Sequence, residues 1–409
     1  MSDNNTKRYF SKVLESDVDR IISSLKEDGV KIILEIVFNS LMKGERDIYM
    51  QENGNIENNK ANGYYKRMAK TMTDYFQVKV PRDRLGLFRP IFLDVINNEK
   101  SKIEELGFLL YVKGLSTRDI SDIIEKTFGG KYSASQVSVI TKRFKKEKDA
   151  WLNRKLDKRY YFVYIDALHI NVRRGNKVEK EAFYIVMGLK EDFTREILGV
   201  YNTPTESSAA WEDNFQDLKD RGVEEIQMII TDELPGIENT ILKNFKGTQV
   251  QFCIVHKYRN IWKSVRRSEK EEISSDLKGV FKVGDPRFTQ EEGKENLKLF
   301  LEKWSKYPSL RNKFPESKFD FFFSYLNFPY QIQSMIYTTN WIERLNKSVR
   351  KTTKNRNSMP SPESVMTLIV ATCIDRENAT YLKYPVTAFY QVKYELQIGF
   401  KGEKDEILF

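Results

Sequence analysis

The stretch that decides the fold is Tyr160-Tyr161-Phe162-Val163-Tyr164-Ile165-Asp166-Ala167-Leu168-His169-Ile170-Asn171. It is an almost unbroken run of apolar and β-favouring residues without alternation, which is typical of a strand buried on both faces. Asp166 is the one carboxylate in this run. Burying an ionised carboxylate without a partner costs on the order of several kcal/mol. We therefore interpret Asp166 as a residue tied to a cation, and specifically as a ligand of a metal ion.

The segments after this strand predict an α/β core. Arg173–Asn176 has the composition of a hairpin turn, so the first three strands are expected to form an antiparallel meander. The further predicted elements are strands at 182–187, 196–201, 226–230 and 250–255 and helices at 207–221 and 235–245. Three antiparallel strands followed by helix, strand, helix and strand are the order of a ribonuclease H-like fold. Such a fold gathers acidic residues at the carboxyl ends of its strands.

Three acidic residues are placed where a metal site could be assembled. Asp166 lies within the first strand, Asp232 ends the fourth strand, and Glu343 lies on a helix near the carboxyl end of the chain. Magnesium prefers hard oxygen ligands and binds through a few carboxylates together with substrate phosphates. Two such ions can stabilise the attacking and leaving oxygens of a phosphodiester displacement.

Each of the three acids also has an ordinary structural interpretation. Asp166 could be a strand-end aspartate that accepts backbone N–H groups. Asp232 could be the N-cap of the helix that begins near Pro235. Glu343 could complete a capping box with Asn340, since Asn-x-x-Glu has the required spacing. Only their combination in this fold order favours a catalytic site.

The amino-terminal half predicts DNA-binding elements. Residues 1–50 have helical periodicity, 51–63 form a polar connector, and 64–80 resemble short strands in a basic segment with Arg67, Arg82 and Arg84. Residues 101–148 predict three short helices, the second opened by a Ser116/Asp119 capping box and the last carrying basic residues. This is typical of a helix-turn-helix whose last helix enters a major groove. A small three-helix packing unit with a solvated basic face is the alternative.

Basic residues mark the surfaces expected to contact DNA. Lys347, Arg350, Lys351 and Lys354 follow Glu343 at helical spacing, where they could hold phosphates or form a solvated face. The full predicted set is Arg67, Arg82, Arg84, Arg118, Lys142, Arg143, Lys347, Arg350, Lys351 and Lys354.

The predicted organisation is a helical region at 1–60, a small basic β-containing segment at 61–100, a helix-turn-helix domain at 101–150, a first core part at 151–256, an all-helical insertion at 257–336, and the Glu-bearing helix with the carboxyl-terminal region at 337–409.

Composition sets the class of the protein. The chain has 409 residues, with 68 Lys and Arg against 58 Asp and Glu, a net charge of +10 that suits a nucleic-acid partner. A merely basic protein is the alternative interpretation. Two cysteines cannot form a disulfide framework, which fits a reducing cytosol. No signal peptide and no apolar run of about 18 residues is found, so we expect a cytoplasmic, nucleoid-associated protein without membrane contact.

Cys253 and His256 form a Cys-x-x-His pair at the carboxyl end of the fifth predicted strand. Two potential ligands are half of a zinc site, and the neighbouring sequence offers no second half. Structural packing is therefore the favoured interpretation of this pair. His169, three residues after Asp166, could contact substrate or simply be packed.

The chain resembles the Mutator-type DDE transposases of bacterial insertion sequences. The matching stretches, which span roughly residues 60–375, are Asn62–Arg67, Val80–Arg84, Leu115–Ile120, Asp166–Arg173, Cys253–Asn260 and Thr338–Asn346. The resemblance implies that Asp166, Asp232 and Glu343 are the catalytic triad and that the helical segment is an insertion domain. It further implies that Cys253 and His256 support the active site. In that family glycine typically follows the second aspartate, whereas Glu233 stands here and could itself replace Asp232 as a ligand.

The resulting hypothesis is a DNA transposase that uses Mg²⁺ or Mn²⁺, with two ions expected. It would cleave at the ends of its element and transfer the 3′-OH into target DNA. By the resemblance, its partners would be terminal inverted repeats, target DNA and a second copy of the chain. The alternatives are a non-catalytic DNA-binding regulator derived from a decayed transposase, and a ribonuclease-type hydrolase that cuts without joining.

Overall fold

The structure is a computed structural model of the chain. It describes residues 29–53, 59–70, 75–128, 133, 144–203, 208–353, 356–377 and 380–401. The helical periodicity predicted between residues 18 and 25 lies outside these ranges. The chain divides into two compact units, Met1–Arg143 and Phe144–Phe409.

The first unit contains a helix packed on a β-hairpin. Helix α1 (Gly29–Asn53) lies against the antiparallel strands β1 (Ala61–Lys70) and β2 (Tyr75–Asp83). Alternate residues of β2, namely Phe76, Val78 and Val80, are buried in one core with Met42 of α1. The short strands predicted at 64–80 are thereby confirmed. One face of the hairpin is buried and the other is exposed, as the two-residue period of a strand requires.

Two helices follow the hairpin in the first unit. They are α2 (Phe92–Val112) and α3 (Thr117–Phe128). The predicted capping box is confirmed: the Ser116 N–H donates to the Asp119 carboxylate at 3.0 Å, and the Asp119 N–H donates to the Ser116 hydroxyl at 3.2 Å. Most of the third helix of the predicted helix-turn-helix, including Lys142 and Arg143, falls outside the described residues, and the end of the predicted motif, from residue 144 onward, belongs to the second unit. The motif therefore stays a prediction.

The second unit is built around a five-stranded mixed sheet. Its strands are β3 (Arg159–Arg174), β4 (Lys177–Lys190), β5 (Arg195–Asn202), β6 (Glu225–Thr231) and β7 (Gln249–Phe252). The order is β5-β4-β3-β6-β7, with β3, β4 and β5 antiparallel and with β6 and β7 parallel to β3. Residues Tyr160 to Ile165 of β3 are almost fully buried, as its unbroken apolar run predicts.

Helices cover the sheet and form the long segment after β7. They are α4 (Lys145–Leu152), α5 (Ser208–Asp220), α6 (Ile237–Asn244), α7 (Ile254–Trp262), α8 (Lys270–Val280), α9 (Gln290–Lys303), α10 (Pro308–Lys313), α11 (Phe319–Phe323), α12 (Gln333–Ile336), α13 (Asn340–Thr353), α14 (Pro362–Glu377), α15 (Thr380–Lys383) and α16 (Lys393–Lys401). The mixed α/β class predicted from the sequence is confirmed. Within the described ranges, no helix combines the length and the apolar character that crossing a membrane requires.

The end of β7 differs from the prediction. The sequence predicts a strand that runs to Val255, but β7 ends at Phe252, and Ile254 and Val255 belong to α7. Their β-branched side chains favour a strand locally. The tertiary structure overrides this preference, because the Ile254 N–H bonds the Tyr337 carbonyl and the Lys257 N–H bonds the Cys253 carbonyl, closing the first helical turn. His256 therefore lies on a helix.

Within the insertion predicted to be all helical, the segment 316–327 is interrupted. It consists of a 3₁₀ turn (Glu316–Lys318), α11 and a second 3₁₀ turn (Ser324–Asn327). Two aromatic side chains of α11 are held by different partners: Phe322 packs on Phe252, and Phe323 stacks on Phe281. Aromatic packing, rather than helix propensity, sets the backbone in this segment.

Candidate active site

The structure brings the three predicted acids into one site. Ile165 of β3 pairs with Thr231 of β6 in parallel register. Asp166 and Asp232, the residues that follow them, therefore come from adjacent strands of the sheet. Glu343 lies in the first turn of α13, which packs against β3. Burial raises the pKa of Asp166 to about 6, and the nearby carboxylates of Asp232 and Glu343 add to this rise against the opposing effects of His256 and Asn346. The three negative charges therefore act on one another.

Asp166 is buried and hydrogen-bonded to an amide. The Asn346 side-chain N–H₂ donates to Asp166 Oδ2 at 2.5 Å, and the Ala167 N–H donates to Oδ1 at 3.0 Å. Asn346 is itself fully buried and lies one helical turn after Glu343, on the same face of α13. The strand-end interpretation of Asp166 accounts for one backbone bond; the second bond comes from the helix that carries Glu343.

Asp232 contacts a histidine. His256 Nδ1 lies 2.5 Å from Asp232 Oδ1. Burial lowers the pKa of His256, but the hydrogen bonds and charges of Asp232 and Cys253 outweigh that effect and raise it to about 11. Asp232 is not the cap of α6, whose N-cap is Gly236 in the left-handed conformation.

Glu343 is held by an arginine. Arg259 of α7 donates to both carboxylate oxygens of Glu343, at 2.6 and 3.0 Å. His256 Nε2 lies 3.9 Å from the same carboxylate. Burial raises the pKa of Glu343, but the Arg259 hydrogen bonds and charge lower it below its ordinary value overall. Its carboxylate is thus directed at Arg259 rather than back at the start of its own helix, as a capping box with Asn340 requires.

Cys253 links the start of α7 to the segment before α13. Its Sγ lies 3.3 Å from the Thr339 hydroxyl and accepts the Thr339 N–H at 3.4 Å. One potential metal-ligand atom from each of Asp232, Cys253 and His256 lies within 4.8 Å of the other two. Among the described residues, this is the one group of three His, Cys, Asp or Glu side chains that could hold a metal ion. The sequence did not reveal that Asp232 joins this pair. The supporting role of Cys253 and His256 stays a prediction, as does any role for the exposed His169.

Glu233 is paired with lysines. Its carboxylate contacts Lys257 of α7 and lies 3.2 Å from Lys318 Nζ. This pairing argues against the alternative in which Glu233 replaces Asp232 as a ligand. Lys257, Arg259 and Asn346 were not assigned roles from the sequence. Helical spacing is the sequence signal that could have identified Arg259 and Asn346. Arg259 follows His256 by three residues, and Asn346 follows Glu343 by three.

The predicted DNA contacts are distributed over both units. Lys347, Arg350 and Lys351 lie on α13, where Lys347 and Lys351 are exposed. In the first unit Arg82, Arg84 and Arg118 are at least partly exposed and Arg67 is half-buried. Lys142, Arg143 and Lys354 lie outside the described residues. The contacts of these residues with DNA remain predictions.

A family model described as "Transposase, Mutator family" matches residues 5–381. The chain belongs to the Mutator family of transposases. It is 33% identical over 383 residues to the transposase for insertion sequence element IS256 in transposon Tn4001 of Staphylococcus aureus, which covers 90% of this chain and 95% of that protein. It is 31% identical over 342 residues to the transposase for insertion sequence element IS1201 of Lactobacillus helveticus, which covers 82% of this chain and 91% of that protein.

The prediction that this Mutator-family protein is a transposase is confirmed at the level of the family. The alternative of a non-catalytic regulator is not favoured. Among solved structures, the Drosophila P element transposase strand transfer complex matches with a TM-score of 0.28 and 10% identity, over 70% of this chain and 83% of that one. A similarity this distant carries no weight for the fold or the mechanism of this chain.

Proposed function

We propose that Asp166, Asp232 and Glu343 are the DDE triad of a ribonuclease H-like core. The triad cleaves DNA at the ends of the element and joins the resulting 3′-OH to target DNA. The observation that carries this proposal is the convergence of three carboxylates from β3, the end of β6 and α13, with the pKa of Asp166 raised to about 6.

The sheet topology supports the ribonuclease H-like assignment. An antiparallel meander, β3-β4-β5, is followed by β6 and β7, which lie parallel to β3 on its other side. Asp166 and Asp232 come from two adjacent strands of this sheet, at the point where Ile165 and Thr231 are in register. Acidic groups on adjacent strands are the arrangement that this fold order predicts.

The residues present fit a divalent cation. Carboxylate oxygens are the ligands that Mg²⁺ and Mn²⁺ prefer. Burial and the adjacent Asp232 carboxylate raise the pKa of Asp166, which marks a place where added positive charge is stabilising. Asp166, Asp232 and Glu343 would hold the ions, and two ions are expected. When bound, they would supply Lewis-acid stabilisation of the charge that develops on the phosphate.

The surrounding side chains set the orientation of the triad. Asn346 fixes Asp166 by a hydrogen bond, while His256 and Arg259 hold Asp232 and Glu343. Contacts of this kind reduce the rotamer freedom of the groups that act on the substrate. The cations of α13, Lys347, Arg350 and Lys351, would bind phosphates beside the triad.

The proposed partners are the terminal inverted repeats of the element, target DNA and a second copy of the chain. Two ends must be joined to one target, so two triads have to act together. The helix-turn-helix predicted at 101–150 and the arginines of the first unit would recognise the repeats.

The test uses the purified full chain and a duplex oligonucleotide that carries one end of the element. With Mg²⁺ or Mn²⁺ the wild type should nick the end and then join the exposed 3′-OH to a target plasmid. Asp166→Asn should lower both steps by at least about a thousandfold while retaining DNA binding. Glu291→Gln, an exposed acid on α9, is the matched control and should leave both steps unchanged.

Two results would reject the proposal. If wild type and Asp166→Asn bind DNA equally and neither cuts, the chain acts as a DNA-binding regulator. If the wild type cuts but never joins, the activity is that of a ribonuclease-type hydrolase.

A further inference from the structure

We propose that Glu233 is a positioning residue, which fastens the loop carrying Asp232 to the helical segment after β7 through Lys257 and Lys318. The proposal rests on the proposed function of Asp232. Glu233 stands where the family resemblance predicts glycine, and the positioning role accounts for that difference.

Glu233 lies between two lysines from different parts of the helical segment. Lys257 of α7 contacts Glu233 Oε2, and its Nζ also donates to the Lys313 carbonyl at 2.7 Å. Lys318, in the 3₁₀ turn before α11, places Nζ 3.2 Å from Glu233 Oε1 and 3.0 Å from Glu238 Oε1. The loop is thereby connected to α7, to the end of α10 and to the turn before α11.

Two successive residues of the loop pair with two successive residues of α7. Asp232 contacts His256, and Glu233 contacts Lys257. The loop backbone is tight as well, because the Leu234 N–H donates to the Asp232 carbonyl at 2.8 Å. A rotation of the loop that freed one carboxylate would strain the other pair, so Glu233 restricts the orientations open to Asp232.

Lys257 depends on the Glu233 carboxylate to compensate its charge. It is only 7% exposed, and its Nζ lies over the Phe322 and Phe314 rings, 4.8 and 5.5 Å from their centroids. A buried ammonium that loses its carboxylate is left with an uncompensated charge, which is strongly unfavourable. The cation–π contacts and the Lys313 carbonyl do not replace a negative charge. The Glu233–Lys257 pair is therefore strongly favoured in this structure.

The first measurement is hydrogen exchange of the backbone around Leu234 in the full-length protein without DNA. Glu233→Gln keeps the size of the side chain and removes its charge, and Lys318→Met removes the second contact. Both variants should exchange about tenfold faster in peptides covering 229–237, the change expected when a charged hydrogen bond is lost. Lys303→Met is the matched control, since Lys303 pairs with Asp276 elsewhere in the helical segment. It should leave the exchange of this loop unchanged.

The second measurement is cleavage of the same element-end oligonucleotide as a function of Mg²⁺ concentration. Glu233→Gln and Glu233→Gly should require about tenfold more Mg²⁺ for half-maximal rate, at temperatures well below their unfolding midpoints. Glu233→Asp, which retains the charge, should recover part of the loss. A purely structural role would change the unfolding midpoint without moving the Mg²⁺ dependence.

The outcomes separate the two proposals. Unchanged loop exchange in both Glu233→Gln and Lys318→Met overturns the connection. Faster exchange with an unchanged Mg²⁺ dependence shows that the loop is fastened without consequence for Asp232, which also overturns the positioning role. If the wild type does not cleave, the proposed function fails, while the exchange experiment still decides whether Glu233 holds the loop.

Discussion

Asp166 and Glu343 are both buried carboxylates of one site, yet their surroundings are opposite. Glu343 is held by two charged hydrogen bonds from Arg259, which keep its pKa below the ordinary value. Asp166 accepts hydrogen bonds from the neutral Asn346 amide and a backbone N–H, and burial together with Asp232 raises its pKa to about 6. The negative charge of Glu343 is thus compensated by an arginine, whereas that of Asp166 is bound by neutral groups.

This difference follows from the position of α7. That helix supplies His256, Lys257 and Arg259, which pair with Asp232, Glu233 and Glu343 respectively. Asp166, on β3, is paired instead with an amide of α13. The excess negative charge of the site is therefore concentrated at Asp166, where an added cation is stabilised most.

Among the partners of the three acids, the largest effect is expected from removing the compensation of Glu343. Arg259→Met should lower the rate of end cleavage by about a hundredfold, because Glu343 loses the two bonds that orient it. Arg259→Lys should recover little, since an ammonium cannot form the same two-pronged contact. The rate is measured on the element-end oligonucleotide, with Arg267→Met, an exposed arginine beyond α7, as control. A cleavage rate in Arg259→Met equal to that of the control would show that Glu343 needs no orientation by α7.

The second prediction concerns the uncompensated side of the site. In the absence of divalent ions at pH 7, Asp166→Asn should be more stable than the wild type, because it removes repulsion with Asp232. We expect the Tm to rise by roughly 2 to 4 °C, the shift that about 1 kcal/mol produces in a domain the size of the second unit. Asp213→Asn, an exposed aspartate on α5, should change the Tm little. Calorimetry that finds Asp166→Asn less stable than wild type would mean that Asp166 is fully compensated.

The third prediction is the pH dependence of that difference. The pKa of Asp166 is raised from 3.8 to about 6 in the folded state, so the folded protein binds an extra proton between these values. The stabilisation that results is fully present below about pH 3.8 and is lost as the pH rises through about 6. The Tm difference between Asp166→Asn and wild type should therefore grow from about pH 4 to about pH 7 and then level off. A difference that is constant across this range would contradict the raised pKa.

The smallest effect is expected at the exposed cations beyond Glu343. Lys347→Gln or Lys351→Gln should weaken binding of the element-end duplex several-fold and lower the salt dependence of binding by about one ion. Neither should change the stability or the pH profile, because both side chains are exposed on α13. Lys298→Gln, an exposed lysine of α9, is the control in a fluorescence titration at several salt concentrations. Equal binding by all three variants would place the DNA away from α13.

Local patterns allowed much of the second unit to be predicted. The buried run of β3, the turn predicted at Arg173–Asn176 and the helix predicted at 207–221 are all properties of short segments. The prediction for the start of α7 was wrong, because Ile254 and Val255 favour a strand and only a bond to Tyr337, far along the chain, turns them into a helix. The structure brings the predicted triad together. Of the partners of its members, His256 was expected from the resemblance to support the site, whereas Arg259 and Asn346 were not foreseen.

The sequence by itself determined the family, the order of strands and helices, and the three acids that lie on or beside them. Periodicity, β propensity and the cost of a buried charge act within a few residues, so they can be read along the chain. Only the tertiary structure decided which partner each acid receives. Arg259 and Glu343 are separated by 84 positions, and Asp166 and Asn346 by 180. Such pairs are selected by the packing of whole helices against the sheet, which no local pattern encodes.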